Sequence, residues 1–187
     1  LPVVIGFGPA SYLWYWFVDS RVGPAPQFLR ILGFGDQEEQ WLGIMPLALF
    51  VVIVMVVWKF AAFQMILLMA AIQGISKEIL EAAEIDGATP WRTFWSITFP
   101  LMAPISIGAI IIRLIEASKI FDSIFNLTSA GPGNSTETPA YYLYTRGLRE
   151  FQISYGATMG LMYLILAILT LTILGQIFAR VSKPRGL

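Results

Sequence analysis

Apolar residues run along this chain in long blocks, and polar residues collect in short islands between them. A helix needs ~20 predominantly apolar residues to cross the hydrocarbon core of a bilayer. Four blocks approach or meet that length, at about residues 1–18, 43–73, 101–127 and 155–179. The first is short and interrupted by Gly6, Gly8 and Pro9. It ends on Tyr12, Trp14, Tyr15 and Trp16 before Asp19, as an aromatic belt at a membrane interface does, so we read it as the remainder of a span.

Between the first two blocks, residues 19–41 read as loop, with Gly23-Pro24-Ala25-Pro26, a short surface helix around Gln27 to Leu32, and the acidic Asp36-Gln37-Glu38-Glu39. A second loop on the same side, residues 128–152, is rich in Gly, Pro, Ser and Thr. Leu1 follows no initiator Met or charged leader and reads as the start of a fragment.

The loop between the second and third blocks, residues 74–100, is different because it carries its own helical pattern. Ser76 is placed to cap a helix with Glu78 in its first turn, where the helix dipole favours a carboxylate. Ile79, Leu80, Ala82, Ala83 and Ile85 then alternate with Glu78, Glu81 and Glu84, and Gly87 falls where a left-handed C-terminal cap belongs. Thr89-Pro90 restarts a helix with a capping side chain and a proline at its first position, and Pro100 passes that helix into the third block. Such a loop is either a folded connector or a docking element, with Ala82-Ala83 as a small flat patch beside fixed carboxylates. Both readings stand on the residues alone.

Composition agrees with membrane residence. Hydrophobic residues make up 57% and charged residues 13%, too apolar for a soluble domain of this length. A net charge of +0 leaves no basic footprint for nucleic acid. The absence of Cys and His removes thiol nucleophiles, His-dependent triads and the usual zinc sites. We expect no catalytic residue, metal or cofactor. Lys77, Arg92, Arg180, Lys183 and Arg185 lie on the side of the folded loop, and Arg21, Arg30, Arg146 and Arg149 lie opposite. With the compact basic tail deciding the balance, the positive-inside bias places the folded loop in the cytoplasm.

The residues of that loop also resemble a known family. Glu81-Ala82-Ala83, three residues, Gly87, nine residues, Ile97 and then Pro100 reproduce the signature of permease subunits of bacterial binding-protein-dependent ABC importers, with Phe99 where the family usually has Leu. The stretch Phe121-Asp-Ser-Ile-Phe-Asn-Leu-Thr-Ser-Ala-Gly-Pro-Gly-Asn-Ser-Thr-Glu-Thr138 is similar to the maltose-permease-like branch, which imports sugars, polyols and glycerol 3-phosphate. The resemblance implies an all-α membrane protein carrying the last four helices of a six-helix permease core, in the bacterial inner membrane. It implies that residues 74–100 form a cytoplasmic coupling helix seated in a cleft of an ATP-binding cassette ATPase dimer. Gly87 would make the turn, Glu81 and Asp86 polar contacts, and Ala82 and Ala83 the close-approach face. A second permease subunit, membrane lipid and an extracytoplasmic solute-binding protein would complete the partners.

The charges within the spans have two readings. Lys59 sits midway along the second block, and Arg113, Glu116 and Lys119 lie near or beyond the middle of the third. Ionisable groups at such depth face protein or water and usually pair, here Lys59 with Glu116 or Arg113 with Glu116. By resemblance to maltose-type permeases, Lys59, Phe60, Phe63, Glu116, Ala117 and Ile120 instead line the solute path. No Gly-x4-Gly-Lys-Ser/Thr loop is present, so the energy comes from a partner. The rival is a secondary transporter with Glu116 and Asp122 as proton carriers.

Overall fold

A computed structural model describes residues 2–33 and 40–181, with side chains through residue 176. The acidic stretch Asp36 to Glu39, the side chain of Arg180, and Lys183 and Arg185 of the basic tail lie outside the described residues. Every regular element that is described is helical: a 3-10 turn Pro2–Val4, α1 Phe7–Phe17, α2 Pro24–Ile31, a 3-10 turn Trp41–Gly43, α3 Met45–Gln73, α4 Lys77–Ile85, α5 Pro90–Thr93, α6 Phe99–Ser118, α7 Asp122–Leu127, α8 Pro139–Tyr144 and α9 Ile153–Val181. Single π-turns over Phe94–Thr98 and Thr145–Arg149 follow α5 and α8.

Among the described residues, three helices are long and apolar enough to cross a membrane: Met45–Gln73, Pro90–Ser118 and Ile153–Gln176. Twenty-nine residues in α3 span about 44 Å at a rise of 1.5 Å per residue, ample for a hydrocarbon core of about 30 Å. The apolar window of the last helix is 0% buried within the chain, so lipid or another subunit must cover it. The first block does not form a fourth such helix. Gly6 starts α1 and Pro9 fits its first turn, where no N–H is needed, leaving 11 residues in α1.

The helix of the third apolar block, Pro90–Ser118, also ends earlier than the apolar pattern, at Ser118 rather than at Leu127. Its terminal carbonyls are taken by distant hydroxyls: Tyr163 Oη donates to the Ser118 carbonyl, and Thr138 Oγ1 donates to the Ile120 carbonyl at 2.8 Å. The apolar residues beyond, Ile124 and Leu127, belong to the separate helix α7 and are buried. Thr138 also accepts the Tyr141 N–H at 3.3 Å, capping α8. Thr138→Val removes both bonds. It is expected to cost about 1 kcal/mol, read as a fall of roughly 2–4 °C in the unfolding midpoint of the purified protein. An unchanged midpoint would show that the hydroxyl does not hold this junction.

The chain divides into two units. The first comprises Leu1–Ala62 and Ala117–Leu166. Its core gathers Ala10 and Val18 from α1 and its C-terminal cap, Val51, Val52, Met55 and Val56 from α3, Ile124 and Leu127 from α7, and Ala130 and Tyr141 beyond. Phe121, Phe125, Tyr141 and Tyr144 form one aromatic cluster, with Phe121 5.4 Å from Phe125 and 5.0 Å from Tyr144 between ring centroids. The loop after α7 is tied by threonines: Thr128 Oγ1 and Thr136 Oγ1 are 2.7 Å apart, and Thr136 donates to the Gly131 carbonyl at 2.9 Å. Asp19 closes the turn before α2 by accepting the N–H groups of Arg21 and Val22 at 2.9 and 3.1 Å. These bonds, that to Arg21 foremost, hold its carboxyl below the usual carboxylate range.

The second unit comprises Phe63–Glu116 and Ala167–Leu187. Its buried residues include Ala71, Ala83, Met102 and Ala109, small or adaptable side chains that let membrane helices approach closely. Gln64 Nε2 donates to the Ala109 carbonyl at 3.2 Å and so joins α3 to α6 by a polar bond.

Candidate functional site

The loop between α3 and α6 is built as a helix, a sharp turn and a second helix. Ser76 occupies the N-cap position of α4 with extended backbone, φ −63° and ψ 139°, but its side chain makes no capping bond, contrary to the sequence expectation. Glu78 lies in the first turn, where its carboxylate faces the positive end of the helix dipole. At the other end the capping is complete. The Ala88 N–H donates to the Ala83 carbonyl and the Gly87 N–H to the Glu84 carbonyl, both at 3.0 Å, the paired bonds of a Schellman turn. That turn requires a left-handed residue, and Gly87 supplies it with φ +72°.

Thr89 then caps α5, its hydroxyl accepting the Arg92 N–H at 3.4 Å while its carbonyl accepts the Thr93 hydroxyl at 3.1 Å. Helix α5 continues through the π-turn into α6 as one helix, Pro90–Ser118. Phe99 N–H reaches back to the Phe94 carbonyl just before Pro100, whose missing N–H and bulky ring disfavour the ordinary helical register there. The result is a short acidic helix tied through a fixed turn to a membrane-crossing helix.

The exposed surface of this element differs from expectation at one pair. Ala82 is exposed, but Ala83 is buried, at 5% exposed. Successive helical positions point about 100° apart, and here that step turns Ala83 inward. Of the two alanines, only Ala82 is open to a partner in this structure. Glu81, Asp86 and Gly87 are all exposed. So are two large apolar residues whose outward placement the sequence did not reveal, Ile85 at 86% and Trp91 at 73%. Trp91 begins a ladder of rings, 5.8 Å from Trp95, which is 5.2 Å from both Phe94 and Phe99.

The residues expected along the solute path separate. Lys59 is only 4% exposed, its ammonium donates to the Ile5 carbonyl, and it lies 4.6 Å from the centroid of the Phe7 ring. Phe60 lies 5.8 Å from Phe7, and both Phe60 and Ile120 pack against the core of the first unit. All three pack within the first unit of this structure. Phe63 and Glu116 are half-buried and Ala117 is exposed. Arg113 and Glu116 lie one turn apart on α6. Trp58 packs edge-on against Trp14 at 5.9 Å.

Sequence reasoning also missed the polar group at the end of the loop before α9. Arg146 pairs with Glu150 at 2.7 Å and lies 5.4 Å from the centroid of the Tyr142 ring. The bond to Glu150, foremost, raises the Arg146 pKa above its ordinary value.

Comparison with known proteins bears on the chain as a whole. Residues 1–185 match the family described as binding-protein-dependent transport system inner membrane component. The chain is 40% identical over 120 residues to a putative ABC transporter permease protein of Caldicellulosiruptor sp. (strain Rt8B.4), covering 64% of this chain and 86% of that protein. It is 31% identical over 169 residues to the sn-glycerol-3-phosphate transport system permease protein of Yersinia enterocolitica, covering 90% of this chain and 56% of that one. A Pyrococcus horikoshii probable ABC transporter permease is 29% identical, with 90% of this chain and 58% of that protein covered. The chain thus spans little more than half the length of these last two relatives. Among solved structures, the fold matches a bacterial alginate ABC transporter, crystallised in complex with an alginate pentasaccharide-bound periplasmic protein, with a TM-score of 0.84 at 24% identity over 98% of this chain and 63% of that one. Three membrane-length helices, an all-helical fold and a match along almost the whole sequence agree: the chain belongs to the family of inner membrane components of binding-protein-dependent transport systems.

Proposed function

We propose that the chain forms half of the translocation pore of an ATP-driven importer for a carbohydrate or related polar solute. In this reading residues 74–100 face the cytoplasm and α4 is the coupling helix, docked on an ATPase subunit that hydrolyses ATP. The observation that carries it is the rigid turn at Gly87. A Schellman turn and a capped α5 join an exposed acidic helix to a continuous membrane-crossing helix, so a push on α4 is transmitted to α6. Glu81, Asp86 and Ala82 supply the docking face, and exposed Ile85 an apolar anchor. An extracytoplasmic solute-binding protein and a second permease subunit complete the assembly. Phe63, Glu116 and Ala117 are the residues we assign to the solute path.

The test is uptake into vesicles carrying the assembled transporter. Transport that requires internal ATP and the binding protein, and persists when ion gradients are collapsed, is expected. Transport that follows an ion gradient without ATP would replace this reading with a secondary transporter.

A further inference from the structure

The first segment is broken where it packs against the middle of α3. Pro2–Val4 form a 3-10 turn, α1 starts at Phe7, and between them Gly6 is extended at φ −57° and ψ 158°. The Ile5 N–H is met locally by the Pro2 carbonyl at 3.2 Å. The Ile5 carbonyl has no α-helical donor of its own. Its donor in a continuous helix would be the N–H four residues on, which belongs to Pro9 and does not exist. Where water is scarce, a carbonyl without a donor is destabilising, and broken helices persist in membranes only where another group re-satisfies the backbone.

Lys59 is that group. It is the midpoint of α3, Met45–Gln73, and its ammonium donates to the Ile5 carbonyl. The face of Phe7, the first residue of α1, lies 4.6 Å from the same ammonium, and the ring of Phe60 stands 5.8 Å from that of Phe7. A buried cation is thus held by a backbone dipole and an aromatic face. We infer that Lys59 is a positioning residue that closes the backbone gap opened by Gly6 and Pro9 and so fixes α1 onto α3. It acts through the Ile5 carbonyl and does not touch the solute. This goes beyond the transport reading and does not depend on which solute is carried.

A donor is what this role requires, and a charge is not. Lys59→Gln keeps an N–H donor without the charge, whereas Lys59→Met keeps bulk alone. Ser11 on α1 is 0% exposed, and residues 1–187 hold no cysteine, so Ser11→Cys adds one buried thiol, whose labelling is read against the parent without it. In the assembled transporter, this thiol is expected to be protected from maleimide beside Lys59. In Lys59→Met it should react about tenfold faster or more, as loss of a buried bond loosens α1, and in Lys59→Gln return close to the parent rate. Uptake should follow: Lys59→Met lowers Vmax with KM unchanged, and Lys59→Gln recovers most of the loss. The inference is overturned if glutamine behaves as methionine does, if methionine leaves the thiol protected, or if methionine raises KM at unchanged Vmax, as loss of a solute ligand would. Should Lys59→Met be missing from the membrane, Lys59→Gln decides. Assembly with a protected thiol supports the cap, and its loss refutes it.

Discussion

Gly87→Arg is expected to leave the chain in the membrane and reduce solute uptake to background, with ATP hydrolysis either freed from transport or lost through failed subunit assembly. Two effects add at this position. The φ of +72° costs an L-residue about 1–2 kcal/mol, enough to shift a balanced turn roughly tenfold towards other conformations. No atom lies within 4 Å of a Cβ built there, so the strain is conformational and not steric, and the long cation projects outward beside exposed Ile85 and Asp86. Within the fold that projection is harmless. Against a partner seated on α4 it is an obstruction and an added charge. Gly87→Asn separates the two effects, because Asn accepts left-handed backbone and carries no charge. It should keep most of the uptake, and Gly87→Val, β-branched and strained there, should keep little. Normal uptake in Gly87→Arg would remove the coupling role from this loop altogether.

What the amino-acid pattern reveals about this chain follows from the range of each cause. The long apolar helices are legible because crossing a bilayer is a requirement on one segment at a time. The turn at Gly87 and the cap at Thr89 are legible because their hydrogen bonds close within five residues. The end of α6 is not, since Ile120, Phe121, Ile124, Phe125 and Leu127 continue the apolar pattern. The helix stops at Ser118 because Tyr163 and Thr138, far along the chain, take carbonyls at its end. Ala82 and Ala83 look equivalent in a list of residues, and only the packing decides which one is covered. Lys59 shows the same limit. Hydropathy marks it as a charge at the midplane, but its partner is a carbonyl 54 positions away. The one local sign of that partner is the N–H that Pro9 lacks.

Gly156→Ala is expected to destabilise the protein far more than Gly147→Ala, although the two glycines face each other. A Cβ at Gly156 would stand 2.6 Å from Gly147 Cα and 3.2 Å from its nitrogen, whereas a Cβ at Gly147 finds Gly156 Cα at an ordinary 3.5 Å. Neither backbone can retreat easily. The Glu150 N–H closes the π-turn around Gly147 onto the Thr145 carbonyl at 2.9 Å, and the Gly156 N–H bonds the Gln152 carbonyl at 2.8 Å in the first turn of α9. Overpacking of this kind costs about 1–3 kcal/mol, so Gly156→Ala should lower the unfolding midpoint by roughly 5 °C and Gly147→Ala by a degree or two. The contact also sets where the last membrane helix meets the loop that holds the Arg146–Glu150 pair, so uptake should fall with stability in the first variant and hold in the second. Gly156→Ser is expected to match the alanine, because the obstruction arises at Cβ whatever follows it. Equal losses from the two alanines, or none from Gly156→Ala, would mean that the loop and the helix do not meet backbone to backbone.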